Sequence, residues 1–146
     1  MRTLLLTLLL FTGTAASAQT MTASCKDPSG RALGILGELG GNKQVDGPDS
    51  MQGGVITVSW RAGQSKASIV VSTGAASSVS STEGHLVFRT EDQLTFFAHF
   101  PGAAYMVSLF PNPKRLLVSS HQQFLGMDPG SAVAKTFQAR CDISLQ

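Results

Sequence analysis

The sequence predicts an all-β chain: a small antiparallel β-sandwich or barrel of about seven to eight strands, with the N- and C-terminal strands tied by a disulfide. Three observations carry that prediction. Apolar and polar residues alternate with a period of two through much of the chain, most cleanly at Leu94, Phe96, Ala98 and Phe100. Groups of Gly, Pro, Asn and Asp interrupt these runs at close spacing, and no segment holds a convincing helical period. The two cysteines, Cys25 and Cys141, stand near opposite ends. Strict alternation marks a strand with one buried face, and many short strands between turn signals mark a sandwich or a barrel.

The first segment is a leader rather than part of the fold. Met1 and Arg2 supply one positive charge, Leu4 to Phe11 form an apolar run broken only by Thr7, and Ala16-Ser17-Ala18 closes it with small residues. A run this short does not span a bilayer, so residues 1–18 read as a secretory signal peptide cut before Gln19, and 19–146 as a single β domain. Thr22-Ala23-Ser24 before Cys25 is a poorer match to a lipoprotein signal, because Thr22 stands where Leu is expected.

The elements follow in order. A short first strand reaches Cys25, and Lys26-Asp27-Pro28-Ser29-Gly30 predicts a tight turn. Leu33 to Leu39 is apolar but contains Gly34 and Gly37, each costing a helix about 1 kcal/mol relative to Ala, so it reads as a strand or irregular extended chain. From Gly40 to Gly54 the turn-formers Gly-Gly-Asn and Asp-Gly-Pro-Asp-Ser predict a surface loop. Ile56, Val58 and Trp60 then share one face of a strand, and Ala67 to Ser72 is its partner across Ala62-Gly63-Gln64-Ser65. Gly74 to Ser81 is a Gly-, Ala- and Ser-rich interruption, Leu86 and Phe88 open the next strand, and Pro101-Gly102 ends the strand of Leu94 to Phe100. Ala104 to Phe110 and Arg115 to Gln122 form a hairpin across Pro111-Asn112-Pro113. Met127-Asp128-Pro129-Gly130 turns, Ser131 to Lys135 is one helical turn at most, and Phe137, Ala139, Cys141 and Ile143 share the inward face of the last strand.

Cys141 therefore points inward, as a bond to Cys25 in an oxidising compartment requires. Closing the 116 residues between the two cysteines removes denatured-state entropy worth about 5 kcal/mol in the chain-entropy model.

Charge excludes some functions. Without the leader the chain carries ten Lys and Arg against nine Asp and Glu, scattered singly apart from Lys114-Arg115 and Glu91-Asp92. No basic block exists to neutralise a row of phosphates, and no second apolar run is long enough for a membrane span, so neither a nucleic-acid partner nor a membrane span is expected.

The letters of several active sites occur without their spacing. His85, His99 and His121 fall on three different strands, with no His-x-His and no His-Glu-x-x-His, so no metal is expected. Ser119-Ser120-His121 with Asp92 or Asp128 has the residue types of a hydrolase triad but lacks Gly-x-Ser-x-Gly and its strand-turn-helix setting. Asp46, Asp49 and Ser50 crowd one loop without an EF-hand pattern, and Gly34, Gly37, Gly40 and Gly41 miss the dinucleotide fingerprint. No catalytic residue and no cofactor are assigned.

The remaining candidate is a surface. Phe97, His99, Tyr105 and Leu117 fall out of phase with the expected core residues of their strands and form a candidate binding strip on the outer sheet face. In plan alone, a small exported β domain with terminal cysteines resembles envelope proteins such as the periplasmic lysozyme inhibitors. No segment matches their inhibitory motif, so no site residue is carried over. The expected function is a non-enzymatic binding or inhibitor module of the periplasm or cell envelope, or a secreted one. It would recognise an envelope or extracellular protein or glycan through a sheet face or the 40–54 loop. The alternatives are a small secreted hydrolase using His121 or His99 as base, and a passive envelope or surface component.

Overall fold

A computed structural model describes residues 18–74, 78–122 and 130–146, and these hold nine strands. They are β1 Thr20–Ile35, β2 Gln44–Ser50, β3 Val55–Arg61, β4 Lys66–Thr73, β5 Ser78–Arg89, β6 Leu94–Phe100, β7 Ala103–Phe110, β8 Arg115–Gln122 and β9 Ala132–Leu145. The expected leader, apart from its last residue, lies outside the described residues, as do 75–77 and Met127, Asp128 and Pro129 of the expected turn. No helix among the described residues is long and apolar enough to cross a membrane.

From β3 to β9 each strand pairs antiparallel with the next, while β1 pairs with β3 along one edge and with β9 along the other. Eight strands thereby close into a barrel, and β2 is appended to β1 outside the ring. The alternatives of sandwich and barrel resolve to the barrel. The closing seam joins Met21–Ile35 of β1 to Ala132–Leu145 of β9, and within it Cys25 and Cys141 lie directly opposite and are bonded, with their sulfurs 2.06 Å apart.

Four local expectations are corrected. Lys26 to Gly30 is not a turn: β1 runs straight through it with a bulge between Lys26 and Ser29, where Asp27 takes a left-handed backbone (φ 48°). Pro28 fits there because a bulge leaves residues outside the ladder and Pro has no N–H to contribute. The bulge is also where β1 changes partner, from β3 on one side of it to β2 on the other. Secondly, the 40–54 loop contains β2, whose Gly47 and Pro48 are tolerated because β2 is an edge strand and β1 supplies its ladder. Thirdly, the interruption expected over 74–81 ends early, since β5 begins at Ser78; serines pair in register with β4 through backbone groups even where side chains give little core. Finally, Ser131 to Lys135 holds no helical turn, because the ladders of β8 and β1 draw 132–135 into β9.

The period of two fills the barrel. Ile56, Val58 and Trp60 of β3, Ile69 of β4, Leu94, Phe96 and Phe100 of β6, Val107 and Leu109 of β7, and Leu116 and Val118 of β8 are all buried. One end is plugged by Met21, Trp60, Leu94, Leu109 and Leu116, and the indole N–H of Trp60 donates to the Gln64 carbonyl at 2.8 Å in the adjoining turn. Arg89 covers the same ring, its guanidinium carbon 5.1 Å from the ring centroid, a cation-π arrangement. Along β5 a bulge between Leu86 and Phe88 separates the pair expected to open one strand together: Leu86 packs on the core, whereas Phe88 is exposed.

Candidate ligand cup at the end of the barrel

At the end opposite the plug, the register brings together residues that are far apart in sequence. Ala98, Tyr105, Ser120, Lys135, Ala32 and Gly47 follow one another across six adjacent strands, and Val107, Val118, Phe137, Gly30 and Asp49 make up the neighbouring row. Cross-strand neighbours carry Cβ atoms about 5 Å apart, so these rows are contact surfaces.

Lys135 is the unexpected member. It lies in phase with Phe137, Ala139 and Cys141, on the face that otherwise holds the core, and its side chain is only 25% exposed. A charge held this far from water requires a partner. Its ammonium meets the Asp49 carboxylate of β2 at 2.8 Å, with the Asp49 side chain 28% exposed. Between the two, β1 contributes only Gly30 and Ala32, so nothing bulky separates cation from carboxylate. Gly30 has a second reason to be glycine, because a Cβ there would overlap the Thr136 backbone carbonyl.

Polar groups gather beside this pair. The Gln122 amide donates to the Tyr105 hydroxyl at 3.1 Å and more weakly to the fully buried Ser120 hydroxyl at 3.4 Å. The Tyr105 ring stands edge-on to Phe100, centroids 5.0 Å apart. Opposite them, Met51 donates its N–H to the Pro28 carbonyl at 2.8 Å and Gly53 donates to the Asp27 carboxylate at 2.7 Å, which pins the 51–54 segment to the bulge of β1.

These walls enclose a cup of about 550 Å³. Ile56, Val71, Val118 and Phe137 form its apolar lining, and Asp49, Tyr105, Gln122 and Lys135 supply its polar groups. Small-ligand sites are typically concave, mostly apolar and furnished with a few convergent polar groups, and eight strands give a barrel just wide enough for one small ligand.

The residues expected to form the binding strip separate. Phe97 (41% exposed), His99 and Leu117 (46% exposed) do lie on the outer face, where Phe97 is in register with Met106, itself exposed. Tyr105 does not join them: two and four residues before Val107 and Leu109, it shares their inward face and lines the cup. His99, Ala104, His121, Ala134 and Leu33 make one register row along an outer groove of about 740 Å³, so both histidines named as possible bases face the outside of the sheet.

Ser120 and His121, adjacent in sequence, project to opposite faces of β8: Ser120 is buried inside and His121 is exposed outside. Their hydroxyl and imidazole therefore do not meet as a nucleophile and base must. Asp46 and Asp49 likewise diverge, Asp46 bonding to Arg31 at 2.7 Å and Asp49 to Lys135. Gln122 and Lys135 were not singled out by the sequence, and Ser120 only as a letter of a triad, although a signal existed: Ser120 and Gln122 stand two and four residues after the inward Val118, and Lys135 two before the inward Phe137.

No protein-family model and no curated protein matches this chain. The chemistry of the cup is therefore read from its own residues.

Proposed function

We propose that this chain is an exported, non-enzymatic binding protein of the periplasm or extracellular space that receives its ligand in the cup at the end of the barrel. The observation that carries this reading is the cup itself: an apolar lining, with polar groups converging from β2, β7, β8 and β9. The segment first expected to recognise a partner, 40–54, takes part in this reading, because Asp49, Ser50, Met51 and Gln52 line the cup. Export is supported by the leader-like residues 1–18 and by the disulfide, which fits an oxidising compartment. An intact mass starting at Gln19 supports it, and a mass that retains residues 1–18 on the exported product refutes it.

The test of binding is native mass spectrometry of the protein recovered from its own host, compared with a Val118→Trp variant that fills the cup. Co-purification of a small molecule with the wild type and its loss from the folded variant support the proposal. Equal retention by both places the ligand elsewhere. A second reading, recognition of a protein or glycan by the outer face, draws on the exposed Phe97, Met106 and Leu117 across β6, β7 and β8. Loss of a captured partner in Phe97→Ala and Leu117→Ala, with Val118→Trp still capturing it, would favour this second reading.

A further inference from the structure

Resting on the cup as the binding site, we infer that its ligand is an amphipathic monocarboxylate whose apolar body lies against Ile56, Val71, Val118 and Phe137 and whose carboxylate pairs with Lys135. Two observations lead there. A barrel interior is the costliest place for a lone ammonium, and Lys135 occupies an inward position where its strand otherwise buries apolar side chains. An ammonium has three donors, and Asp49 engages it through one carboxylate oxygen at 2.8 Å, so it has further N–H groups for a second anion. The Tyr105 hydroxyl accepts from Gln122 and keeps its own proton to donate into the cup. The lining thus offers a cation and a phenol as donors above an apolar floor, and this set matches an anionic acceptor head on an apolar chain.

Asp49 makes the assignment specific. It comes from β2, the strand outside the closed ring, and it neutralises Lys135 in the absence of any other anion. A ligand carboxylate competes with it for the same ammonium. Removing the Asp49 charge should therefore strengthen carboxylate binding, whereas a purely structural ion pair would give weaker binding when broken.

The experiment is calorimetric titration of the full exported protein with octanoate and with 1-octanol, which share a chain and differ in the head. A charge-assisted hydrogen bond predicts a preference for octanoate of about tenfold or more in the wild type. Lys135→Gln should remove the preference for octanoate over 1-octanol, Lys135→Arg should keep it, and Asp49→Asn should tighten octanoate and widen the preference. Val118→Trp should abolish both. Each variant is checked for its native circular dichroism, and Asp49→Asn keeps the test open should Lys135→Gln not fold. Equal binding of octanoate and 1-octanol by the wild type, or weaker octanoate binding in Asp49→Asn, overturns the carboxylate assignment and leaves the cup reading intact. Binding of neither probe, together with no co-purified molecule in native mass spectrometry, overturns the cup reading as well.

Discussion

Breaking the Cys25–Cys141 bond tests how the barrel is closed. β1 and β9 are the two strands most distant in sequence, and they must meet along thirteen register pairs before the ring exists. The bond spans 116 residues, for which the chain-entropy model gives about 5 kcal/mol of stabilisation acting through the unfolded chain. That is comparable with the net stability of a domain this size. Near its midpoint a domain of about 130 residues loses roughly 3 to 4 °C per kcal/mol, so reduction should lower the melting midpoint by about 10 to 20 °C. The assay is thermal unfolding followed by circular dichroism with and without a phosphine reductant, alongside a Cys25→Ala/Cys141→Ala double variant. Both sulfurs are buried, so the double variant should melt at or slightly below the reduced wild type, the extra loss reflecting packing around two missing sulfurs. A reduced protein that melts within about 3 °C of the oxidised one would refute the reasoning. It would mean that the β1–β9 seam persists in the unfolded ensemble, leaving little entropy for the bond to remove.

Two further predictions bear on which face is which and on surface charge. Phe96→Ala, at a fully buried position, should cost about 3 to 5 kcal/mol in denaturant unfolding, and Tyr105→Ala about 1 to 3 kcal/mol through loss of its contact with Phe100. Phe97→Ala and Leu117→Ala should stay under about 1 kcal/mol; a larger cost would place them in the core. Glu83, exposed on β5, accepts a hydrogen bond from Lys66 at 2.7 Å, and that bond, followed by the charge of Lys66, holds its carboxyl below the ordinary glutamate value. Any stability from this pair is present above that ordinary value and fades as pH falls through the lowered one. Carbon-detected NMR titration should find the low midpoint in the wild type and a normal one in Lys66→Ala; an unchanged midpoint would rule out the pair as its cause.

How much was legible in the sequence depended on whether the information lay along a strand or between strands. Alternation runs along a strand, so Ile56, Val58 and Trp60 were correctly grouped, and the inward phase of Cys141 pointed to its partner. Pairing lies between strands, and a partner's identity and register depend on turns and on which faces are buried together, neither of which is written along one strand. Hence β2, which reads as Gln-Val-Asp-Gly-Pro-Asp-Ser, has the composition of a loop and is a strand because β1 runs past its bulge and offers it an edge. The cup is hidden for the same reason. Tyr105, Ser120 and Lys135 sit side by side because the β7–β8 and β8–β9 ladders put them in register, and no local pattern encodes that meeting. Lys135 nevertheless left a trace, a charged residue two places before Phe137 in a strand whose inward phase Cys141 had already fixed. A cation in phase with a core breaks the local rule of apolar-in and polar-out, and such breaks tend to coincide with functional or strained sites, where some other interaction offsets their cost. Here the offset comes from Asp49, carried by β2 outside the closed ring, which is why the mouth of the barrel rather than its outer face is the part of this molecule to probe first.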